Sequence, residues 1–240
     1  MKDQLLVNEI YGPVAQGEGK SAGKMTSFLR LATCNLACVF CDTPYTWSWI
    51  GTRFRHPLKF SKSDEIHIRS SAEIKTHLDS LGIKAVVMSG GEPFLQQVEL
   101  LPLLRDLKAD GYWVEVETNG TIEPLAEFLE LVDQINCSPK TSNSGPDNRP
   151  SMVERPRALK VLTSSFKTNL KFVVSSEHDM PEILALIEKY RAREIYLMPE
   201  GRTRQEQLER QDTVMELCHK HSFHFSPRIH VLQHNDKRGV

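Results

Sequence analysis

Three cysteines, Cys34, Cys38 and Cys41, stand at spacing C-x3-C-x2-C in the stretch Phe28–Tyr45, directly after an apolar run that reads as a strand. Three thiolates on one short loop can hold three corners of an iron–sulfur cube and leave the fourth iron open to a small molecule. The spacing favours such a cluster over zinc, because a closed structural zinc site needs four ligands, usually as two pairs. The sequence has no second Cys-x2-Cys pair, and Cys137 and Cys218 stand alone. Five cysteines in a chain opening Met-Lys-Asp-Gln-Leu-Leu-Val, without a signal-peptide pattern, do not suggest a disulfide framework. The expectation is a soluble, cytoplasmic protein in a reducing compartment.

The chain of 240 residues is 40% hydrophobic, enough for a sizeable core, and no apolar run approaches a membrane span. Lys and Arg total 30 against 31 Asp and Glu, so no global field recruits nucleic acid or an anionic membrane. A single domain over 1–240 is expected, with an insertion at about 46–69 and a flexible loop at about 141–156 rich in Ser, Asn, Pro and Gly. The insertion interleaves Trp47, Trp49, Phe54 and Phe60 with Arg53, Arg55, Lys59 and Lys62. That mixture suits single-stranded nucleic acid, but a lid or covering loop is the commoner use and the one adopted.

The elements that must position the cysteine loop follow from periodicity. Strands are expected at 5–11 and 25–31, the latter leading into Cys34. Ser70-Ser71-Ala72-Glu73 reads as a capping box opening a helix that Gly82 closes. Strands at 84–88, 112–117, 134–137, 170–175 and 194–198 then alternate with helices at 95–108, 124–132, 180–191 and 205–221. Such alternation implies βαβ crossovers and a parallel sheet. The number of units predicts an α/β fold, a partial (β/α)6 TIM-like barrel.

Ligands of parallel α/β folds gather at the carboxyl ends of the strands. Those ends carry Ser89-Gly90-Gly91-Glu92-Pro93, Glu117-Thr118-Asn119-Gly120, Asn136-Cys137-Ser138-Pro139-Lys140 and Met198-Pro199-Glu200-Gly201, with Lys171 inside 170–174. All would share one rim with the cysteine loop and with the turn Ala15-Gln16-Gly17-Glu18-Gly19. Taken alone, Glu18 is a solvated turn residue and Arg30 a surface charge; beside a cluster, Arg30 could clamp a carboxylate.

The loop resembles that of the radical S-adenosylmethionine (SAM) superfamily, and Ser89–Pro93 resembles its "GGEP" element. With Gln16–Gly19, Phe28–Arg30, Cys34–Leu36, Cys41–Thr43, Glu117–Gly120 and Ser138–Lys140, nearly the whole chain is similar to the 7-carboxy-7-deazaguanine synthase family. The resemblance implies a modified radical SAM core with a [4Fe–4S] cluster, SAM and Mg²⁺. It implies conversion of 6-carboxy-5,6,7,8-tetrahydropterin to 7-carboxy-7-deazaguanine with loss of ammonia, SAM being regenerated. A flavodoxin-like reductant and a homodimer are implied as well; no nucleic-acid or membrane partner is expected from the balanced charge.

Carried onto this sequence, the resemblance gives Cys34, Cys38 and Cys41 to the cluster and Thr43 to Mg²⁺. It gives Phe40, Asp42, Gly91, Glu92, Glu117, Ser138, Pro139, Lys140, Met198, Pro199 and Glu200 to SAM. It gives Ala15, Gln16, Gly17, Glu18, Arg30, Ser89, His230 and the carboxylate of Val240 to the substrate. Ser226–His230 resembles the family's closing strand. A glycyl-radical-enzyme activating protein is the alternative; it would share the cysteine loop but need neither Gln16–Gly19 nor Thr43.

Overall fold

The computed structural model describes residues 3–240. The chain opens with β1 (Gln4–Ala15) and β2 (Met25–Leu31), then α1 (Lys62–Glu65), β3 (His67–Ser70) and α2 (Ser71–Ser80). The alternation follows as β4 (Ala85–Gly90), α3 (Gln97–Ala109), β5 (Trp113–Thr118), α4 (Ala126–Leu131) and β6 (Gln134–Cys137). After α5 (Pro150–Val153) come α6 (Pro156–Ser164), β7 (Thr168–Val174), α7 (Met180–Tyr190), β8 (Ile195–Pro199), α8 (Arg204–His221), β9 (His224–Phe225) and α9 (Ile229–His234). The predicted capping box is formed in full: Ser70 accepts the Glu73 amide and the Glu73 carboxylate accepts the Ser70 amide. Among the described residues, no helix is long and apolar enough to cross a membrane.

The strands form one sheet in the order β3-β1-β2-β4-β5-β6-β7-β8-β9. From β2 through β9 every pairing is parallel, while β1 runs antiparallel to both β2 and β3. Edge strands β3 and β9 do not pair, so the architecture is the open, partial barrel that the alternation predicts. Isolated hydrogen bonds and one ion pair bridge the gap near the site. The Gly19 amide donates to Ser226 Oγ at 2.8 Å, the Ile229 amide to the Gly17 carbonyl at 3.0 Å, and Lys20 pairs with Glu194 at 2.7 Å.

Alternation along each strand decides what faces in and what faces out. In β5, Val114 and Val116 join the apolar layer under the helices, while Glu115 and Glu117 belong to the polar interior. The same division holds in β6 for Ile135 against Gln134 and Asn136, and in β7 for Leu170 and Phe172 against Asn169 and Lys171. The outer layer joins these residues to Leu100, Leu103, Leu104 and Leu107 of α3 and Phe128 of α4.

Three segments differ from expectation. Ser226–His230 is not a strand: pairing ends at Phe225, Pro227 has no amide to donate, and Ile229 begins α9. Residues 141–156 hold a 3-10 turn at Ser142–Ser144 and helix α5, and they pack on the cysteine loop through Ser144 and Asn148. Helix α6, not anticipated, starts on Pro156 at its first position and buries Ala158, Leu159 and Leu162.

Phe128 is fully buried and meets Phe94 edge to face, with centroids 5.0 Å apart. Phe94 in turn lies just beyond the glycine-rich end of β4. Truncation by Phe128→Ala is expected to cost about 3–5 kcal/mol through lost burial and a residual cavity. Urea unfolding measures it; a loss below about 1 kcal/mol would mean that this aromatic pair does not anchor the β4 end.

Candidate active site

The cysteine loop leaves β2 at the carboxyl edge of the sheet. Its base is pinned by the end of β4: the Gly91 amide donates to Leu31 O at 3.0 Å and the Glu92 amide to Thr33 O at 2.8 Å. A Cβ on Gly90 would lie 2.1 Å from Leu31 O, and one on Gly91 would lie 1.8 Å from Thr33 O. Both glycines are therefore demanded by the backbone of the cysteine loop itself, whatever ligand also lies against them.

Glu92, the acidic residue of the glycine-rich end of β4, is engaged by the protein itself. Its carboxylate is fully buried and does not line the cavity; it accepts the Phe94 amide at 3.0 Å, the Asn119 amide at 2.7 Å and the Thr118 hydroxyl at 2.8 Å. The side chain is a brace between the ends of β4 and β5. Burial raises its pKa, against the pull of those donors. Pro139 and Pro199 likewise do not line the cavity.

One cavity of about 1240 Å³, counted to its solvent-open mouth, takes in the rest. Cys34, Cys38, Phe40, Cys41, Asp42 and Thr43 contribute from the loop, and Ala15, Gln16, Gly17 and Glu18 from the turn after β1. Arg30, Ser89, Gly91, Glu117, Ser138, Lys140, Met198 and Glu200 come from strand ends, and His230 and Val240 from the last segment.

Each of the three thiols is raised in pKa, first by burial and then by neighbouring negative charge, Cys38 to about 11. Three adjacent buried thiolates are thus costly unless a cation binds among them, and a cluster's iron supplies one. Cys38 Sγ accepts from Asn148 Nδ2 at 3.2 Å, and Cys41 Sγ from Trp47 Nε1 at 3.2 Å. The Thr43 hydroxyl lies 3.7 Å from Cys41 Sγ and 3.5 Å from Gly90 O, both long contacts.

Beside the loop, and including its Asp42, lies a largely buried lattice of charge. Glu18 takes Lys171 on one oxygen and Arg228 Nε on the other, the latter at 2.8 Å. Arg228 also pairs with Asp42, and Lys171 reaches Glu117 at 3.3 Å. Burial alone would raise the Glu18 carboxyl, but Lys171, Arg228 and His230 outweigh it and hold it well below the usual carboxylate range. Asp42 is lowered against burial, chiefly by Arg228. His230, 3.8 Å from Glu18, is lowered by burial against the pull of that carboxylate, which favours the neutral imidazole. Glu18, Asp42 and His230 place donor atoms within 4.8 Å of one another, but both carboxylates are already paired, Asp42 with Arg228 and Glu18 with Arg228 and Lys171.

Arg30 is held by Glu9 at 2.8 Å and the Tyr11 hydroxyl at 2.9 Å, and Tyr45 also donates to Glu9. Val240 reaches the cavity because Arg238 is anchored to Glu65 at 2.7 Å and stacks on Tyr45, 3.6 Å from its centroid. Below these, Gln16 and Asn136 both donate to Glu115, and Asn169 to Asn136, closing the barrel floor with hydrogen bonds.

This arrangement has counterparts. The profile of the Radical SAM superfamily matches residues 30–157. A 7-carboxy-7-deazaguanine synthase of Halobacterium salinarum is 36% identical over 97% of this chain and 91% of its own. The chain belongs to the 7-carboxy-7-deazaguanine synthase family of radical SAM enzymes. A family member from Hyperthermus butylicus is 34% identical over 95% of this chain and 92% of its own. The crystal structure of QueE from Escherichia coli superposes with a TM-score of 0.68 over 93% of both chains, at 26% identity. Membership implies a [4Fe–4S] cluster and SAM, and the trio of free thiols on one cavity wall fits the first.

Sequence reasoning placed Lys171 and Asn119 on the rim and Trp47 in a covering loop without giving them a ligand or partner, and gave Arg228 no role; all four line the cavity. Lys171 had a signal: a lysine at the inward register of an otherwise apolar strand must find a buried partner. Arg228 had none, since its pairing with Glu18 spans 210 residues.

Glu18→Gln removes the charge that Lys171 and Arg228 share, and should cost about 3–5 kcal/mol at neutral pH. Because the folded carboxyl lies below its ordinary value of 4.5, its stabilisation is fully present above that value. It is lost as pH falls through the depressed folded pKa. The gap between wild type and variant in urea unfolding should therefore stay constant from about pH 7 to about pH 5 and narrow only in stronger acid. A gap that widens on acidification contradicts this assignment.

Proposed function

We propose that the chain converts 6-carboxy-5,6,7,8-tetrahydropterin to 7-carboxy-7-deazaguanine with loss of ammonia, SAM being regenerated, on a route to 7-deazapurine nucleosides such as queuosine. The observation that carries the reading is the shared cavity. The three thiols, Thr43, the Gln16–Glu18 turn and Arg30 all open into it, in a chain whose relatives bear that synthase name.

In this reading Cys34, Cys38 and Cys41 hold the cluster, which with SAM supplies one-electron chemistry for hydrogen abstraction when bound. Gly91, Glu117, Ser138, Lys140, Met198 and Glu200 face SAM. Lys140 Nζ folds back on Ser138, donating to its hydroxyl at 2.7 Å and its carbonyl at 2.9 Å, which steadies that wall. Glu9 and Tyr11 occupy Nε and Nη2 of Arg30, fixing the fork so that its remaining N–H can clamp the substrate carboxylate.

Glu18 has lone pairs beyond those given to Lys171 and Arg228 and accepts from the aminopyrimidinone edge of the pterin. Gln16, Ser89 and neutral His230 complete the polar contacts. The hydrogen-bonded floor beneath Gln16 keeps water from below the reacting ring. Thr43 Oγ1, with only long contacts to the protein, offers one ligand to Mg²⁺, with substrate and water filling the shell. A flavodoxin-like donor and a homodimer belong to the same reading.

Anaerobic reconstitution, followed by carboxytetrahydropterin, SAM, dithionite and Mg²⁺, should yield the deazaguanine with product exceeding SAM consumed. SAM cleavage without that product would favour a glycyl-radical-enzyme activating role instead. Thr43→Ala should abolish the stimulation by Mg²⁺ while SAM binding stays as in the wild type; an unchanged metal dependence refutes the assignment. Arg30→Ala should lower kcat/KM by roughly 10- to 100-fold, as loss of a charge-assisted hydrogen bond predicts. Its iron content should match the wild type, and a variant that loses its iron would make Arg30 a structural residue.

A further inference from the structure

Each sulfur of the cysteine loop faces a side-chain N–H, and the contacts are unequal. Asn119 Nδ2 is 3.9 Å from Cys34 Sγ, a weak approach, and the Leu36 amide lies at 3.4 Å. Asn148 Nδ2 reaches Cys38 Sγ at 3.2 Å, and Trp47 Nε1 reaches Cys41 Sγ at 3.2 Å. An indole nitrogen carries a hydrogen and accepts nothing, so the direction of the Trp47 contact is settled.

The indole is also locked. Trp47 is only 4% exposed, and its ring meets Phe54 at 5.6 Å and His56 at 5.7 Å, both edge to face. His56 Nε2 lies 3.2 Å from the carbonyl of Cys41, the same residue whose sulfur the indole addresses. The insertion between Thr46 and Arg69 therefore does more than cover the loop: it aims one N–H dipole at one ligand.

We infer that Trp47 tunes the reduction potential of the cluster through its hydrogen bond to Cys41. This rests on the reading that Cys34, Cys38 and Cys41 hold a [4Fe–4S] cluster. Reduction adds an electron that spreads onto the coordinating sulfurs, so an N–H aimed at one of them stabilises the reduced form more than the oxidised form. The indole end of the contact is buried, which limits competition from water and strengthens it. Trp47 acts on the cluster through Cys41, as a positioning residue, and need not touch SAM or the pterin.

Trp47→Phe keeps an aromatic ring against Phe54 and His56 and removes the N–H. With cluster reconstituted and neither SAM nor substrate present, the reduced signal is read by electron paramagnetic resonance at a series of fixed ambient potentials. One hydrogen bond of about 1 kcal/mol predicts a roughly five-fold lower reduced-to-oxidised ratio at a given potential. That is a downward shift of about 40 mV, at 59 mV per decade for one electron. Trp49→Phe, which removes an indole in the same insertion, should leave the potential in place.

An unchanged potential in Trp47→Phe at wild-type iron and sulfide content overturns the inference. So does an equal shift in Trp49→Phe, because loss of an indole anywhere would then suffice. Should Trp47→Phe fail to hold a cluster, wild-type protein labelled with ¹⁵N in its indoles decides: the reduced cluster should show a ¹⁵N coupling in pulsed spectra, and its absence overturns the inference. Failure of the underlying reading looks different, since wild-type protein would then take up no iron and show no cluster absorption.

Discussion

The carboxylate of Glu18 is the point on which the two ends of an open sheet close. Strands β3 and β9 leave a gap that no backbone ladder spans. Across it, Glu18 from the first turn binds Lys171 of β7 and Arg228 just past β9, and Arg228 continues to Asp42 beside the last cysteine. Two carboxylates and two cations removed from water together are tolerable because each has a partner; removal of one would strand its neighbours. The lattice thus holds the turn, the cysteine loop and the final segment in one register, and they make up much of the cavity wall.

Charge is a costly way to close a barrel, and the interior shows why it is used. A closed (β/α)8 barrel fills its centre with apolar layers. Here the inward positions of β5, β6 and β7 are Glu115, Glu117, Gln134, Asn136, Asn169 and Lys171, most of them hydrogen-bonded to one another or to the Gln16 turn. A polar interior offers less hydrophobic stabilisation, so the sheet relies on its outer apolar layer for cohesion. In return the centre can accept a polar heterocycle whose donors and acceptors need fixed partners.

The fold was largely legible because periodicity is local. Alternation from β4 onward gave strands and helices near their observed positions, and the Ser70–Glu73 box marked a helix start correctly. The cysteine spacing and the polar strand ends were legible for the same reason. The bracing role of Glu92 was not legible, because a carboxylate beside two glycines looks the same in sequence whether or not it ties two strand ends together. Helix α6 was missed because the residues before it read as one long Ser, Asn and Pro loop. Ser226–His230 was misread because Pro227 and the pull of the Gly17 carbonyl on the Ile229 amide end the ladder early.

Two segments fall outside the βα alternation and share one role. The insertion after Thr46 and the stretch 141–156 lie outside the regular βα units, and both press on the cysteine loop, through Trp47 and His56 on one side and Asn148 and Ser144 on the other. They also meet each other, where the Arg55 amide donates to Asp147 at 2.6 Å. A loop bearing three thiols with raised pKa values resists ionising all of them until a cation binds. Two outer segments that satisfy its amides and sulfurs beforehand lower the entropy lost when the cluster assembles, so their irregularity is consistent with a scaffold for that loop.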